Sequence, residues 1–199
     1  MRLVVIGASG VIGSAVTDAL NQRGHDVLRA SRRGEVKVDI ESTSSIKSMY
    51  ETVGRIDGVV CCAGKGMFKS LTELTDAAIQ LSVKSKLISQ INLVRSGVTH
   101  VNDGGVFVLT AGEFSQRPIP GVPVLAMVNG ALESFGRAAA LDLPRHIRIN
   151  VISPPFIKET AEKMNMKGGL SAVDNAKTYA NVVEGKQNGE IIFSGDSTS

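Results

Sequence analysis

Short apolar runs alternate along the chain with longer segments that repeat apolar residues at helical spacing. Seven short runs predict β-strands, at 3–6, 26–30, 35–39, 56–61, 105–110, 147–152 and 190–193. Five periodic segments predict helices, at 11–23, 42–53, 76–96, 124–143 and 171–184. The strands are continuously apolar, which is typical of parallel strands buried on both faces. The alternation predicts an α/β fold, a doubly wound parallel sheet of about seven strands with helices on both faces.

Composition narrows the class of protein. The 199 residues suit one domain spanning 1–199. A net charge of +3, no Trp and two Tyr provide little material for a nucleic-acid interface. No apolar stretch approaches the ~20 residues that span a bilayer, and the first apolar run is too short for a signal peptide. We therefore expect a cytoplasmic protein with neither a nucleic-acid partner nor a membrane partner.

The two cysteines, Cys61 and Cys62, are neighbours at the end of the predicted fourth strand. Adjacent strand residues point to opposite faces, so a disulfide between them would be strained. No histidines accompany them at zinc-site spacing, and we expect no metal. Both are interpreted as small apolar residues of a buried strand.

A glycine-rich turn joins the first strand to the first helix and has the form Gly-x-x-Gly-x-x-Gly. Gly7 permits the tight turn, Gly10 lets the backbone approach a diphosphate at the helix N-terminus, and Gly13 lets helix and strand pack closely. The strand–turn–helix context is what this motif requires; the alternative is a tight turn in a non-binding α/β protein. The residues predicted to bind the cofactor here are Gly7, Ser9, Gly10, Val11, Ile12 and Gly13.

The end of the second strand indicates which dinucleotide is bound. NAD-binding proteins place an acidic residue there to hold the ribose 2′-hydroxyl, whereas this chain has Ser31, Arg32 and Arg33. Guanidinium groups bind a 2′-phosphate that a carboxylate would repel. NADP(H) is therefore predicted in preference to NAD(H). The alternative is that both arginines are solvated, with Glu35 near enough to pair with one.

Together with further motifs, this turn makes the chain resemble the short-chain dehydrogenase/reductase family over essentially its full length, and more closely a compact, atypical bacterial subgroup. The matching pieces are the glycine motif, Val38-Asp39-Ile40, Cys61-Cys62-Ala63-Gly64 and the segment 148–155. The resemblance implies a Rossmann-like fold. It also implies that Asp39 and Ile40 meet the adenine, that Cys62, Ala63 and Gly64 support the adenosine half, and that Pro154 and Ile157 flank the nicotinamide.

The family's catalytic Asn-Ser-Tyr-Lys tetrad is not matched. Aligned with the family's tetrad, the chain has Ala126 at the tyrosine position, Gly130 at the lysine position, Ala111 at the serine position and Lys86 at the asparagine position. No tyrosine lies between residues 50 and 179, so no shift of register restores one. The site is therefore expected to be atypical, because neither alanine nor glycine can donate a proton.

Two residues are the predicted catalytic candidates. Lys86 is a cation where the family has an amide, and desolvation would lower its pKa and make it an acid or an electrostatic clamp; the alternative is a solvated helix charge. Thr110 could hold a substrate oxygen, or be structural. Weaker candidates are Glu113, Ser115 and Asn129.

Two functions remain open from these residues. The first is an NADP(H)-dependent oxidoreductase acting on a small carbonyl or alcohol, with the loops 111–123 and 156–170 around the substrate. The second is a nucleotide-binding regulator or sensor without turnover. The helix at 124–143 is rich in small residues, and the family uses this helix in a dimer interface. We therefore expect a homodimer, with close packing against the helix's own sheet as the alternative.

Overall fold

The computed structural model describes residues 1–165 and 167–195. Its sheet has seven parallel strands in the order β3-β2-β1-β4-β5-β6-β7. The strands are β1 (Arg2–Ile6), β2 (Asp26–Ser31), β3 (Val36–Lys37), β4 (Ile56–Cys61), β5 (Val101–Thr110), β6 (Arg148–Ser153) and β7 (Ile191–Phe193). The helices are α1 (Val11–Gln22), α2 (Thr43–Val53), α3 (Asp76–Ser82), α4 (Ser89–Gly97), α5 (Pro123–Asp142), α6 (Lys158–Lys163) and α7 (Ala172–Glu184).

The sheet separates two hydrophobic cores. On one face, α1 and α7 pack against it through Val16, Leu20 and Tyr179, which are fully buried. On the other face, α2, α4 and α5 bury side chains that include Tyr50 and Leu132. Helices on both faces explain why the central strands are mostly apolar and buried, and they confirm the predicted doubly wound α/β fold.

Turn chemistry places the helix ends. The Ser42 hydroxyl accepts a hydrogen bond from the Ser45 amide at the start of α2, and the Ser171 hydroxyl accepts one from the Asp174 amide at the start of α7. Gly54 ends α2 with a φ of +67°, which a side chain would disfavour. The two serines therefore fix where α2 and α7 begin, and Gly54 fixes where the chain turns from α2 back towards the sheet.

Three predicted elements differ in detail. The helix predicted at 76–96 contains a π-helical turn, Val83–Ile88, between α3 and α4. β5 begins at Val101, earlier than predicted, where its register against β4 shifts. The segment after β6, predicted to be irregular, includes the short helix α6, which spans less than two turns and therefore has little periodicity in the sequence.

Helix α5 packs closely on its own sheet. A Cβ at Gly136 would lie 2.5 Å from the Val151 side chain, whereas at Gly130 the nearest atom would be a Ser115 carbon 3.9 Å away. Gly136 is thus explained by contact with β6 and not by a partner subunit. In the described part of the chain, no helix combines the length and apolar character that crossing a membrane requires.

Candidate functional site

The sheet order reverses between β1 and β4, and a cleft of about 710 Å³ opens there at the carboxyl ends of the strands. Gly7 turns the chain out of β1 with a φ of +81°. A Cβ at Gly13 would overlap the Gly7 carbonyl oxygen, so only glycine allows α1 to approach the strand this closely. Gly10, the residue before α1, provides no side-chain cap, and the first turn of α1 contains no acidic residue. Its first amides are therefore left to a ligand, and an anion fits there.

Most of the residues predicted to bind the cofactor line this cleft. They are Gly7, Ser9, Gly10, Ser31, Arg32, Arg33, Asp39, Ile40, Cys62, Ala63 and Gly64. An adjoining cavity is lined by Ile12, Pro154 and Ile157. Neither space is lined by Val11 or Gly13, which lie in the first turn of α1. The cleft also includes Ile6, Val38, Glu41, Lys65 and Ser85, which sequence reasoning missed.

The two arginines at the mouth of the cleft are exposed. Among residues 1–165 and 167–195, neither Arg32 nor Arg33 forms an ion pair, and Glu35 pairs with neither. Both guanidinium groups are therefore available to an anionic ligand. Lys65 adds a cation to the wall, and its amide donates to the Ser85 hydroxyl at 3.1 Å.

Hydrogen bonds hold the part of the cleft around Asp39 and the glycine turn. The Asp39 amide donates to the Ser45 hydroxyl at 2.9 Å, and its carboxylate accepts from the Glu41 amide at 3.0 Å. The Arg29 guanidinium, another group that sequence reasoning missed, donates to the Ala8 carbonyl at 3.1 Å and so ties β2 to the glycine turn.

A second cavity of about 200 Å³ adjoins the cleft and shares Cys62, Ala63 and Gly64 with it. It lies beyond the carboxyl ends of β4, β5 and β6. Its remaining lining residues are Ile12, Phe68, Lys86, Thr110, Ala111, Gly112, Glu113, Phe114, Leu125, Asn129, Pro154, Pro155, Phe156, Ile157 and Thr160.

The helix α5 presents Leu125 and Asn129 to this cavity. The sequence comparison had placed the tyrosine and lysine positions of the family on Ala126 and Gly130, which do not line it. Leu125 and Asn129 each lie one residue before those positions and have the same four-residue spacing. Neither side chain is a proton donor with the acidity of tyrosine. The Asn129 Oδ1 atom is buried without a hydrogen-bond partner in the described chain.

Lys86 reaches the cavity from the π-helical turn, while Lys84 is exposed. The Lys86 ammonium donates to the Ala111 carbonyl at 2.9 Å and to the Thr110 carbonyl at 3.4 Å. Burial lowers the pKa of this ammonium to about 8, and the Cys61 thiol opposes the shift only in part. π-turns often occur at functional sites. Lys86 is thus a partly desolvated cation held at the end of β5.

Thr110, the other predicted catalytic residue, lines the same cavity, but its hydroxyl is engaged elsewhere. It donates to the Cys61 carbonyl at 2.5 Å, so the Tyr179 hydroxyl, 2.8 Å away, must donate to it. The Gln90 side chain also brackets the Thr110 backbone, with both bonds at 3.0 Å. Thr110 therefore has no proton left for a ligand in this arrangement.

Neither tyrosine lines the cavity, although the Tyr179 hydroxyl contacts Thr110 behind the lining. Tyr50 is fully buried and donates to the Leu93 carbonyl at 2.8 Å. Burial raises the pKa of Tyr179 well above its usual value. Burial also raises the pKa of Cys61, to about 11, and that of Cys62, so both thiols remain protonated.

A buried carboxylate fixes the loops around the cavity. Glu133 on α5 accepts hydrogen bonds from the hydroxyls of Ser115 and Ser153, both at 2.6 Å. These serines lie on the loop after β5 and at the end of β6. Ser115 is thereby outside the cavity lining, whereas Glu113 lines it and accepts from the Phe156 amide at 3.3 Å.

The chain is similar to curated dehydrogenases and reductases. A family model described as enoyl-(acyl carrier protein) reductase matches residues 6–191. The short-chain dehydrogenase/reductase ATR9 of Stachybotrys chlorohalonatus is 29% identical over 188 residues, covering 79% of this chain and 74% of that protein. L-xylulose reductase of Mus musculus is 26% identical over 182 residues, covering 82% and 75%.

Solved structures share the whole architecture. The protein lin1944 from Listeria innocua superposes with a TM-score of 0.93 at 39% identity, covering 97% of this chain and 98% of that one. A small-chain dehydrogenase solved in complex with NADPH has a TM-score of 0.86 at 23% identity, covering 97% and 95%. The family model and these likenesses agree with the cleft at the switch point of the sheet. The chain therefore belongs to the short-chain dehydrogenase/reductase family, oxidoreductases that bind a nicotinamide cofactor and act on small molecules.

Proposed function

We propose that this protein is an NADP(H)-dependent reductase of a small carbonyl compound in which Lys86 supplies the proton. The observation that carries the proposal is the position of the Lys86 ammonium, in the wall of a cavity that adjoins the dinucleotide cleft. A reductase needs an acid beside its substrate oxygen, and Lys86 is a partly buried cation at that place.

The residues that line the cleft fit a dinucleotide that carries a 2′-phosphate. The glycine turn leaves backbone amides for the diphosphate, and Arg32 and Arg33, which form no ion pair with any residue that the structure describes, are available to a 2′-phosphate. The NADPH bound to the small-chain dehydrogenase of the same fold supports this preference. When bound, NADPH supplies a hydride to the carbonyl carbon of the substrate.

Lys86 completes the chemistry at the carbonyl oxygen. The ammonium gives one proton to the oxygen as negative charge develops there, so that the carbonyl becomes an alcohol and Lys86 becomes a neutral amine. The amine then regains its proton from water. With a pKa of about 8, Lys86 is protonated at neutral pH and is a stronger acid than an ordinary lysine.

Calorimetry with NADPH and NADH tests the cofactor, and NADPH consumption with a panel of aldehydes and ketones tests the reaction. We expect NADPH to bind more tightly than NADH and at least one carbonyl to be reduced. Equal binding of both dinucleotides would contradict the assignment of the arginines. Confirmed NADPH binding without reduction of any member of the panel would contradict the reductase.

That last outcome would instead favour an NADP(H)-binding regulator without turnover. The observation behind this second candidate is the lining of the cavity, where Ala111, Leu125 and Asn129 offer no acid. A regulator would bind the dinucleotide unchanged, and a partner protein would bind with different affinity in its presence.

We propose further that the chain forms a homodimer through α5 and the preceding helical segment. Leu81, Ile88 and Met127 lie on these helices and expose 40%, 42% and 48% of their surfaces. Burial of such side chains stabilises association. Light scattering should show a dimer for the native chain and a monomer for Met127→Glu. A native monomer would refute this assembly.

A further inference from the structure

Three phenylalanine rings form one wall of the second cavity. Phe68, Phe114 and Phe156 come from the loops after β4, β5 and β6, and their ring centroids are 6.0, 6.0 and 6.1 Å apart. Phe68 meets both of the others nearly edge to face, at 87° and 88°. Such contacts stabilise aromatic pairs beyond the area they bury. Phe68 still exposes 39% of its surface, so the cluster is incompletely covered by the protein.

The rest of the lining is poorly suited to a polyol or an anion. Thr110 has its proton engaged, and Glu113 places a carboxylate in the wall, 3.9 Å from the Arg117 guanidinium. Lys86 is the one lysine or arginine of the described lining, and it stands beside main-chain carbonyls. Asn129 and Thr160 add two polar side chains to the lining, and the Asn129 Oδ1 atom has no hydrogen-bond partner in the described chain. An apolar wall with a few polar groups is the usual composition of a site for an apolar ligand with a polar end.

The volume sets the size of that ligand. The cavity holds about 200 Å³. Cavities of roughly 150 Å³ lined by leucine, isoleucine and phenylalanine hold benzene. The cavity also includes Ile12, Pro154 and Ile157, which the family resemblance places beside the cofactor, so the space left for a substrate is at most that of a single ring.

We propose that the cluster Phe68–Phe114–Phe156 binds the ring of a single-ring aryl aldehyde or aryl ketone, with the carbonyl oxygen directed to Lys86. This inference rests on the proposed function for the direction of the carbonyl, but the binding of the ring does not depend on turnover. It names the substrate class that neither the cleft nor the family membership specifies.

Fluorine NMR with 4-fluoroacetophenone tests the proposal. The protein is saturated with NADP⁺, which cannot reduce a ketone, and the titration is repeated without dinucleotide. We expect Phe68→Ala to weaken binding of the aryl ketone about tenfold, since an edge-to-face contact and its buried area are lost. Dihydroxyacetone should fail to displace the aryl ketone at equal concentration.

Leu71→Ala is the matched control, because Leu71 follows β4 as Phe68 does, exposes 76% of its surface and lies outside the cavity lining. It should leave the affinity unchanged, and thermal melting should show both variants folded. Lys86→Met should retain aryl binding while slowing reduction by roughly 10²- to 10⁴-fold, which separates this inference from the proposed reaction. Absence of binding with or without NADP⁺, or equal losses in the two alanine variants, would overturn it.

Discussion

Replacing Lys86 by methionine removes the ammonium while keeping a side chain of similar length. If Lys86 is the proton donor, the rate of carbonyl reduction should fall by roughly 10²- to 10⁴-fold, the usual contribution of general acid catalysis. NADPH affinity should change little, because Lys86 lies outside the cleft that holds the glycine turn, Arg32 and Arg33 and lines only the adjoining cavity. The assay is the initial rate of NADPH oxidation at saturating carbonyl, alongside a calorimetric titration.

The pH dependence gives the sharper test. Burial sets the pKa of Lys86 at about 8, so the native protein should reduce at a constant rate below that pH. Above it the protonated fraction, and with it kcat/KM for reduction, should fall about tenfold per pH unit. Lys86→Arg keeps the charge but cannot release a proton, and its residual rate should not fall above pH 8. A Lys86→Met variant with native rate and pH profile would refute the reasoning.

Stability offers a readout that does not need turnover. The pKa of Lys86 is lower in the folded chain than the ordinary 10.5, so between about pH 8 and 10.5 the unfolded chain holds more protons. Above about pH 9 the raised pKa of the Cys61 and Cys62 thiols makes stability fall with pH, in the native protein and in the Lys86→Met variant alike. The contribution of Lys86 itself, measured as the difference between these two proteins, should rise with pH through the window by at most about 3 kcal/mol. Melting curves of both proteins at pH 7, 8, 9 and 10 would show whether it does.

Three further predictions concern the two arginines, the glycine turn and Thr110, whose carbonyl accepts a hydrogen bond from Lys86. Replacing Arg32 and Arg33 by alanine should weaken NADPH binding roughly 10- to 100-fold without affecting NADH, because charge-assisted hydrogen bonds are lost; calorimetry measures both. Gly13→Ala should destabilise the protein by about 1–3 kcal/mol through overlap with a backbone carbonyl, whereas Gly10→Ala, with its nearest atom at 3.3 Å, should cost less than about 1 kcal/mol in denaturant unfolding. Thr110→Val should lose about 1–3 kcal/mol of stability, by the same measurement, while retaining the pH profile of reduction.

Each of these has its own control or contrary outcome. Lys47 is exposed on α2 outside the cleft, and Lys47→Ala measures the effect of simply removing a positive charge. Equal losses for NADPH and NADH in the arginine variant would mean that the two side chains do not meet a 2′-phosphate. Comparable unfolding energies for the two glycine variants would contradict the packing of α1 on β1. A stable but inactive Thr110→Val would return that hydroxyl to the reaction.

The amino-acid sequence by itself determined the order of strands and helices and the position of the glycine turn. Both follow from short-range physics: apolar runs require a sheet covered on both faces. Gly7 is required by its left-handed backbone conformation, and Gly13 is required by the Gly7 carbonyl that precedes it along the chain. The charges at Arg32 and Arg33 were also readable, since they follow a strand whose end faces the cleft.

Only the tertiary structure decided which side chains meet at the second cavity. The sequence placed Ala126 and Gly130 at the family's tyrosine and lysine positions, but only the packing of α5 shows that Leu125 and Asn129 are the residues that face the cavity. Likewise, Thr110 is engaged by Tyr179 from a helix far along the chain, which no local pattern records. The loops after β4, β5 and β6 line one cavity because the parallel sheet brings the carboxyl ends of these strands together. This convergence exists only in the folded chain.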